Sequence, residues 1–571
     1  MRTLICFYDI LCFFFLLHFQ VTWSQSSEEK LCHPDQSSAL LQFKKTLSLN
    51  SSASVECDEY FGITSHPKTA SWKEGTHCCS WDGVICDGLK GDVIGLDLSC
   101  RWLHGKIHFN STLFRLPHLQ KLNLAHNDFS DSPISSGFAK LSSLTHLNLS
   151  YCLFTGPIPS EISQLSKLVS LDLRNNDELP VTLMKPSSSL TTLSLKSCNL
   201  QGNIPDDIFH FPNLRILNLW ENADLFGSFP KSNWRSPLVF LTLAFTSFSG
   251  ELPSSIGNLR SLQSLDLQSC NFTGSIPASL GNWTQITYID LQFNNFTGLV
   301  PFSFSNLKQL TYLDLSHKKF IGQFPDVFSN FSRLCTIILS QNDFNDQLPS
   351  SVFNSTQILL LDFSNSQMGS PIPSHTGGLT YLTELYLNRN LLNGTIPPWL
   401  YNLSSLIYLD LNTNQLTGRI QSFLHRTLLT LDLSKNKLQG PVPSSIFELS
   451  NLTQLDLSSN NLSGTVNFNM VSKLKELVYL DLSNNSLSVS TNINANSILP
   501  KFKLLRLSSC NISEFPGFLV TLEDIQELDL SNNRIHGHVP KFLWEMGKES
   551  LYHLNLSHNS LTSIERLPWG T

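Results

Sequence analysis

The feature that most constrains this chain is a short phrase, Leu-x-Leu or a close variant, that returns every 22 to 26 residues. It begins at Leu96, Leu122, Leu147, Leu171, Leu193, Leu217, Leu241, Leu265, Ile289, Leu313, Ile337, Leu361, Leu385, Leu409, Leu431, Leu455, Leu480, Leu505, Leu528 and Leu554, and every step from Leu193 to Leu409 is 24 residues. Alternating apolar residues are strand periodicity, with the leucines pointing one way and their neighbours the other. One coil of this length cannot cover its own leucines. Stacked coils can, by lining a shared core and pairing their strands into one parallel sheet. The 571 residues would otherwise suggest three or four ordinary domains. They read instead as a segment 1–24, a cysteine-rich cap over 25–92 and about twenty coils over 93–571, the last of them incomplete.

Within a coil such as Leu262–Pro277, the strand leads into a turn that ends on Gly274 and Pro277. Gly permits a backbone closed to other residues, and Pro stops further pairing. The third residue after the second leucine is Asn in most coils, among them Asn127, Asn222, Asn294 and Asn342. A buried Asn there can satisfy backbone groups that the bend leaves unpaired. Cys152, Cys198, Cys270 and Cys510 replace it as small buried residues. Arg101, Thr246, Lys318 and Ser366 depart from the pattern. A buried cation is expensive, so Lys318 is expected to reach outward past a local irregularity.

The remaining signals concern the compartment. Apolar residues between Leu4 and Phe19, followed by Thr22 and Ser24, form a secretory signal peptide cleaved before Gln25. Asn-x-Ser/Thr sequons occur at Asn50, Asn110, Asn148, Asn271, Asn282, Asn295, Asn330, Asn354, Asn393, Asn402, Asn451, Asn461, Asn484, Asn511 and Asn555. No later run of about 18 apolar residues provides a membrane anchor, and a net charge of −7 gives no basic field for nucleic acid. Six cysteines cluster in and beside the cap: Cys32, Cys57, Cys78, Cys79, Cys86 and Cys100. In a secreted chain they read as three disulfides in preference to a zinc site, with 15 connectivities open. Ala39, Leu40, Phe43 and Leu47 fall on one face of a short helix able to cover the first coil, with Trp72 and Trp81 behind it.

The phrases Gly156-Pro157-Ile158-Pro159, Gly274-Ser275-Ile276-Pro277 and Gly394-Thr395-Ile396-Pro397, together with Cys32–Lys44 and Cys78–Asp87, carry a family resemblance. The chain from Cys32 onward resembles plant leucine-rich-repeat receptor-like proteins of the tomato leaf-mould and wilt resistance group. The resemblance implies an α/β-type leucine-rich-repeat solenoid, a curved right-handed superhelix with a concave parallel sheet. It also implies the pairs Cys32–Cys78 and Cys79–Cys86, which leaves Cys57 with Cys100. Functionally it implies the ectodomain of a kinase-less cell-surface sensor that recognises a secreted peptide, protein or glycan and signals through a receptor kinase adaptor and co-receptor in defence. The full-length family sits on the outer face of the plasma membrane. The last coil stops at Thr571 without a closing cap, so the chain is expected to be cut within the array; a complete product would be apoplastic. The competing readings are a secreted inhibitor of a microbial cell-wall-degrading enzyme, similar to polygalacturonase inhibitors, and a non-functional fragment.

No catalytic motif, cofactor motif or metal-ligand spacing is present, so the chain reads as a non-enzyme whose informative residues lie on the outward side of the strands. Asp266, Asp290 and Asp314, continued by Asp362 and Asp410, form an acidic stripe. Its functional reading is attraction for a basic ligand, and the competing reading is a habit of the repeat. Trp220, Phe240, Phe245, Tyr288, Phe293 and Tyr312, with Tyr386 and Tyr408 beyond them, are outward aromatics and candidate ligand anchors.

Overall fold

The computed structural model describes residues 32–59, 62–130, 132–176, 188–232, 234, 236–375, 377–493, 498–547 and 550–564. The expected signal peptide, with Cys6 and Cys12, lies outside them. The chain forms two compact units, Met1–Leu153 and Phe154–Thr571.

The first unit opens with the helix Pro34–Lys45, which has Pro in its first turn, Asp35 near its N-terminus and Lys44 and Lys45 near its C-terminus. Each suits the position sterically or through the helix dipole. Ala39, Leu40 and Phe43 are buried, as their spacing requires; Leu47 lies beyond the helix and is half-buried. Gln36 ties the helix down, donating through Nε2 to Asp92 at 2.9 Å and accepting from the Val93 N–H at 2.6 Å. The strand Val84–Cys86 pairs antiparallel with Val93–Asp97, whose other edge begins the parallel ladder with Lys121–Asn123 and His146–Asn148. The cap thereby covers a strand edge that would otherwise stand open. Disulfides join Cys32–Cys78, Cys57–Cys100 and Cys79–Cys86, with Cα separations of 5.6, 6.1 and 5.5 Å. Trp72 and Trp81 stack at 5.5 Å.

In the second unit every expected phrase from Leu171 to Leu554 is a three-residue strand, parallel to the next and in register: Leu265 faces Ile289, which faces Leu313. These residues are 0 % exposed. The turn asparagine closes each coil and joins it to the one before. Asn294 donates through Nδ2 to Leu291 O and Gln292 O of its own coil, at 3.0 and 3.2 Å, and to Leu267 O of the preceding coil at 2.6 Å. Its Oδ1 accepts from the Phe272 N–H at 2.9 Å. Asn222, Asn342, Asn390, Asn414 and Asn436 repeat the pattern. The cysteine replacements keep part of it: Cys198 and Cys270 donate from Sγ to Leu173 O and Leu243 O of the preceding coil, at 3.0 and 3.1 Å.

Two features go beyond the repeat pattern. The far sides of most coils are five-residue 3₁₀ helices, such as Ser254–Asn258 and Ala278–Asn282, each preceded by Pro. The Gly-Pro flank also pairs: Ser249–Glu251, Asn271–Gly274, Asn295–Gly298, Lys319–Gly322 and Asp343–Phe344 form a second parallel sheet. Gly274 sits there at φ +76°, and a Cβ would come within 2.7 Å of Glu251 Cγ. Replacing Asn294 by Ala removes one amide that serves two coils. The expected loss is about 1–3 kcal/mol, read by denaturant unfolding, together with faster exchange of the Phe272 amide hydrogen.

Candidate ligand-binding face

The residue between the two inward leucines ends the strand. Its side-chain oxygen accepts from the backbone N–H two residues later: Asp266 from Gln268 at 3.1 Å, Asp290 from Gln292 at 3.0 Å, Asp314 from Ser316 at 2.8 Å and Asp410 from Asn412 at 3.0 Å. Asn148, Asn218 and Asn555 do the same in their coils. This side-chain turn leads into a residue with positive φ, as at Ser269, Phe293 and His317 (52°, 52° and 55°).

The second carboxylate oxygens are also engaged. Asp266 accepts from Thr242 Oγ1 at 3.2 Å, Asp290 from Tyr288 OH at 3.3 Å and Gln292 Nε2 at 3.1 Å, and Asp314 from Tyr312 OH at 3.4 Å. Asp290 and Asp314 are 2 % and 3 % exposed, and Asp266 is half-buried. The expected open acidic stripe is therefore corrected: these carboxylates form a floor beneath the tyrosines, because the turn uses one oxygen and the neighbouring hydroxyls and amides cover the other. Burial, and then the adjacent carboxylates, push Asp290 and Asp314 well above the usual carboxylate range, and burial does the same to Asp266. Asp410 is pushed up to about 7, again chiefly by burial.

Lys318 does not reach outward. It is 6 % exposed, with Nζ 5.4 Å from the centroid of the Phe296 ring and no hydrogen-bond partner among the described residues. Held at the turn position by the adjoining coils, the side chain lies in the interior. Burial lowers its pKa to about 7, against the opposing pull of Asp290 and Asp314.

The outward aromatics are all half-buried or exposed, Phe245 at 39 % and Phe293 at 45 %. The structure groups them into pairs. Trp220 meets Phe245 edge-on at 5.4 Å, Tyr288 stacks on Tyr312 at 4.5 Å, and Phe293 stacks on His317 at 3.8 Å. Phe240 is separated from Tyr288 by the intervening Ser264 strand position. Tyr386 donates to Glu384 Oε2 at 3.0 Å, and Tyr408 is half-buried one coil further on. Two members of this surface are not singled out by the aromatic pattern: His317, and Lys196, whose Nζ lies 4.1 Å from the Trp220 ring centroid. Their register beside Phe293 and Trp220 is the signal that identifies them.

Thirteen of the fifteen sequon asparagines are exposed. Asn148 and Asn555 are half-buried strand residues, and Asn484 occupies the positive-φ position of its coil. Between Leu190 and Ser483 the sequons sit on the Gly-Pro flank or the far side of the coils, as at Asn271, Asn295, Asn282 and Asn402. No sequon in that stretch starts on the strand face.

The comparisons agree with this architecture. A leucine-rich-repeat N-terminal domain matches residues 33–87, and leucine-rich repeats match 117–177, 189–211, 260–344, 381–403, 426–487 and 524–546. The chain is thus a leucine-rich-repeat protein, and it is similar to plant receptor-like proteins, of whose length it spans less than a third. It is 36% identical over 276 residues to Receptor-like protein 6 of Arabidopsis thaliana, a match covering 42% of this chain and 28% of that protein. It is 36% identical over 245 residues to Receptor-like protein Cf-9 of Solanum pimpinellifolium, covering 42% of this chain and 26% of that protein. The ectodomain of the Arabidopsis receptor kinase HAESA, solved with the peptide hormone IDA and the co-receptor SERK1, superposes with a TM-score of 0.72 at 27% identity, over 93% of this chain and 94% of that one. Among the described residues no helix is long and apolar enough to cross a membrane.

The buried ionisable groups give the stability a definite pH dependence. Asp266, Asp290, Asp314 and Asp410 bind protons more tightly folded than unfolded, so stability falls as pH rises from about 4 to 7. Lys318 binds its proton less tightly folded, so its contribution rises with pH from about 7 to 10.5. The melting temperature is expected to drop by several degrees between pH 5 and pH 7. Asp290→Asn with Asp314→Asn, which keeps the acceptor oxygen used in other coils, should flatten that slope. Lys318→Asn should raise the melting temperature at pH 7 by restoring the turn amide. Calorimetry across this pH range checks all three.

Proposed function

We propose that the chain is the extracellular ligand-recognition part of a plant receptor-like protein, acting in pathogen perception at the outer face of the plasma membrane after passage through the secretory pathway. The observation that carries this reading is the row of outward rings on the strand face: Trp220, Phe245, Tyr288, Phe293 and Tyr312, with Phe240 beside them. They stand in a stretch whose sequons lie on other faces, so glycans would leave the surface open. Rigid aromatics with half-exposed faces provide contact area at little entropic cost. The carboxylate floor beneath Tyr288 and Tyr312 fixes their hydroxyls and leaves the rings to make contact. The ligand is a secreted peptide or an exposed segment of a protein. HAESA, whose ectodomain this fold matches, was solved with a peptide hormone and a co-receptor, and signalling here would likewise pass to a partner receptor kinase.

The test is selection of a displayed library of twelve-residue peptides on the full chain produced through a secretory pathway. Binders enriched on the wild type should weaken about tenfold or more, equivalent to at least 1.4 kcal/mol, on Tyr288→Ala, Tyr312→Ala or Phe245→Ala. Unchanged binding by all three variants, or inhibition of a microbial polygalacturonase with no peptide enriched, overturns the reading.

A further inference from the structure

Arg389 and Lys435 occupy the same position in their coils as Phe245, Phe293 and His317, the second residue after the strand's inner pair. Positive φ values of 54° and 53° hold their side chains out from the sheet. Both are exposed, and among the described residues neither side chain has a hydrogen-bond or ion-pair partner. Thr413, also exposed at φ 53°, stands between them. The two cations line both of two hollows on this face, of about 470 and 590 Å³. The larger hollow also contains Leu391, 50 % exposed.

The smaller hollow also holds Asp432, Asp456, Asp481 and Asp529, whereas the larger one has no acid in its lining, and no acid makes an ion pair with Arg389 or Lys435 among the described residues. Asp432 accepts from Ser434 N and Oγ and from Asn412 Nδ2, at 2.9, 2.7 and 3.1 Å. Asp410 accepts from Asn412 N and Nδ2, at 3.0 and 2.8 Å. The next basic residue along the face, Arg506, is taken up by Glu527 at 2.6 Å and Asp481 at 3.7 Å. Arg389 and Lys435 are therefore the basic side chains of this stretch without an acidic partner among the described residues, and they meet around the larger hollow with the Thr413 hydroxyl between them.

From these contacts we infer that Arg389, Thr413 and Lys435 seat a carboxylate of an extended protein segment whose apolar residue lies on Phe293 and Tyr312. The inference rests on the receptor reading above and adds the chemistry of the ligand. Guanidinium, ammonium and hydroxyl donors suit a carboxylate. Phe293 and Arg389 occupy the same position four strands apart, and the strands between them pair in register. At about 4.8 Å per strand they are about 19 Å apart, the length of about six extended residues. An acidic polysaccharide repeats its charge at every sugar, whereas this face offers cations at one place and rings at another. That arrangement fits a segment with one acidic and one apolar residue at a set spacing.

The experiment uses the full chain and immobilised pools of ten-residue peptides, random except at two fixed positions. One pool fixes Phe and Glu with five residues between them. Control pools replace Glu by Gln or Lys, or shorten the spacing to two residues. The Phe-Glu pool at the long spacing should retain about tenfold more protein than each control, as expected for charge-assisted hydrogen bonds. Arg389→Gln with Lys435→Gln should abolish that preference with an unchanged melting temperature, and Arg389→Lys should restore part of it.

Equal retention on the Glu and Gln pools, with binding still lost in Tyr312→Ala, overturns the carboxylate seat and leaves the receptor reading standing. Retention that none of these substitutions alters overturns both. Displacement of the Phe-Glu pool by galacturonate oligomers but not by its own soluble peptides overturns the choice of a protein segment.

Discussion

The structure of the second unit depends on one amide. The turn asparagine donates to the carbonyls of its own bend and of the coil before it, and accepts a backbone N–H from that preceding coil. Backbone polar groups buried at a bend cost free energy unless they are paired, and a chain that bends in every coil meets this cost each time. The asparagine meets it with a side chain small enough to stay inside. Each amide also fixes the spacing between successive coils, so strand register follows from turn chemistry as well as from leucine packing. Where Cys270 or Thr246 stands in its place, one donor is kept and the acceptor is lost or weakened. Lys318 contributes neither within the described residues and places an amine over Phe296 instead.

A second local contact shapes the outer face. Where Asp or Asn stands between the inner leucines, as in most coils, its side chain ends the strand by capping the backbone two residues on. It thereby sets up the positive-φ residue, and that residue's side chain is thrown clear of the sheet. Phe293, His317 and Lys435 follow such a cap, while Phe245 and Arg389 take the same positive-φ position in coils where Thr242 and Tyr386 stand between the leucines. The scaffold thus separates two jobs within a few residues of chain: one position is committed to closing the strand, and the next but two is free to vary. Recognition chemistry can change along the face without disturbing the ladder beneath it.

Much of this was legible in the sequence. The period of the leucine pairs located every strand of the main parallel ladder because strand burial has a period of two and the coil a period near 24. The recurrence of Asn at one turn position exposed the ladder. The pairing of Asn271–Gly274 with its neighbours was hidden, because Gly and Pro there read as a turn and a chain stop, although a turn can pair with its copies in adjacent coils. The acidic stripe was misleading for a related reason. Alternation assigns Asp290 and Asp314 to the outer side, but it does not reveal that a short side chain there can fold back onto its own backbone and be roofed by Tyr288 and Tyr312. Lys318 carried no pattern at all: its fate is set by the two coils that enclose it.

The corrected acidic row changes the electrostatics of the surface. Read as an open stripe, Asp266, Asp290 and Asp314 would draw a basic ligand to the aromatic patch. With Asp290 and Asp314 buried, Asp266 half-buried and all three hydrogen-bonded and holding their protons more tightly than usual, little acid is exposed there. What remains exposed is apolar around Phe245 and Phe293 and cationic around Arg389 and Lys435. Charge at a rim steers and orients a partner, whereas buried aromatic contact supplies most of the affinity. A surface built in this order would select a ligand by the spacing between its apolar and acidic residues, a property that neither patch could read alone.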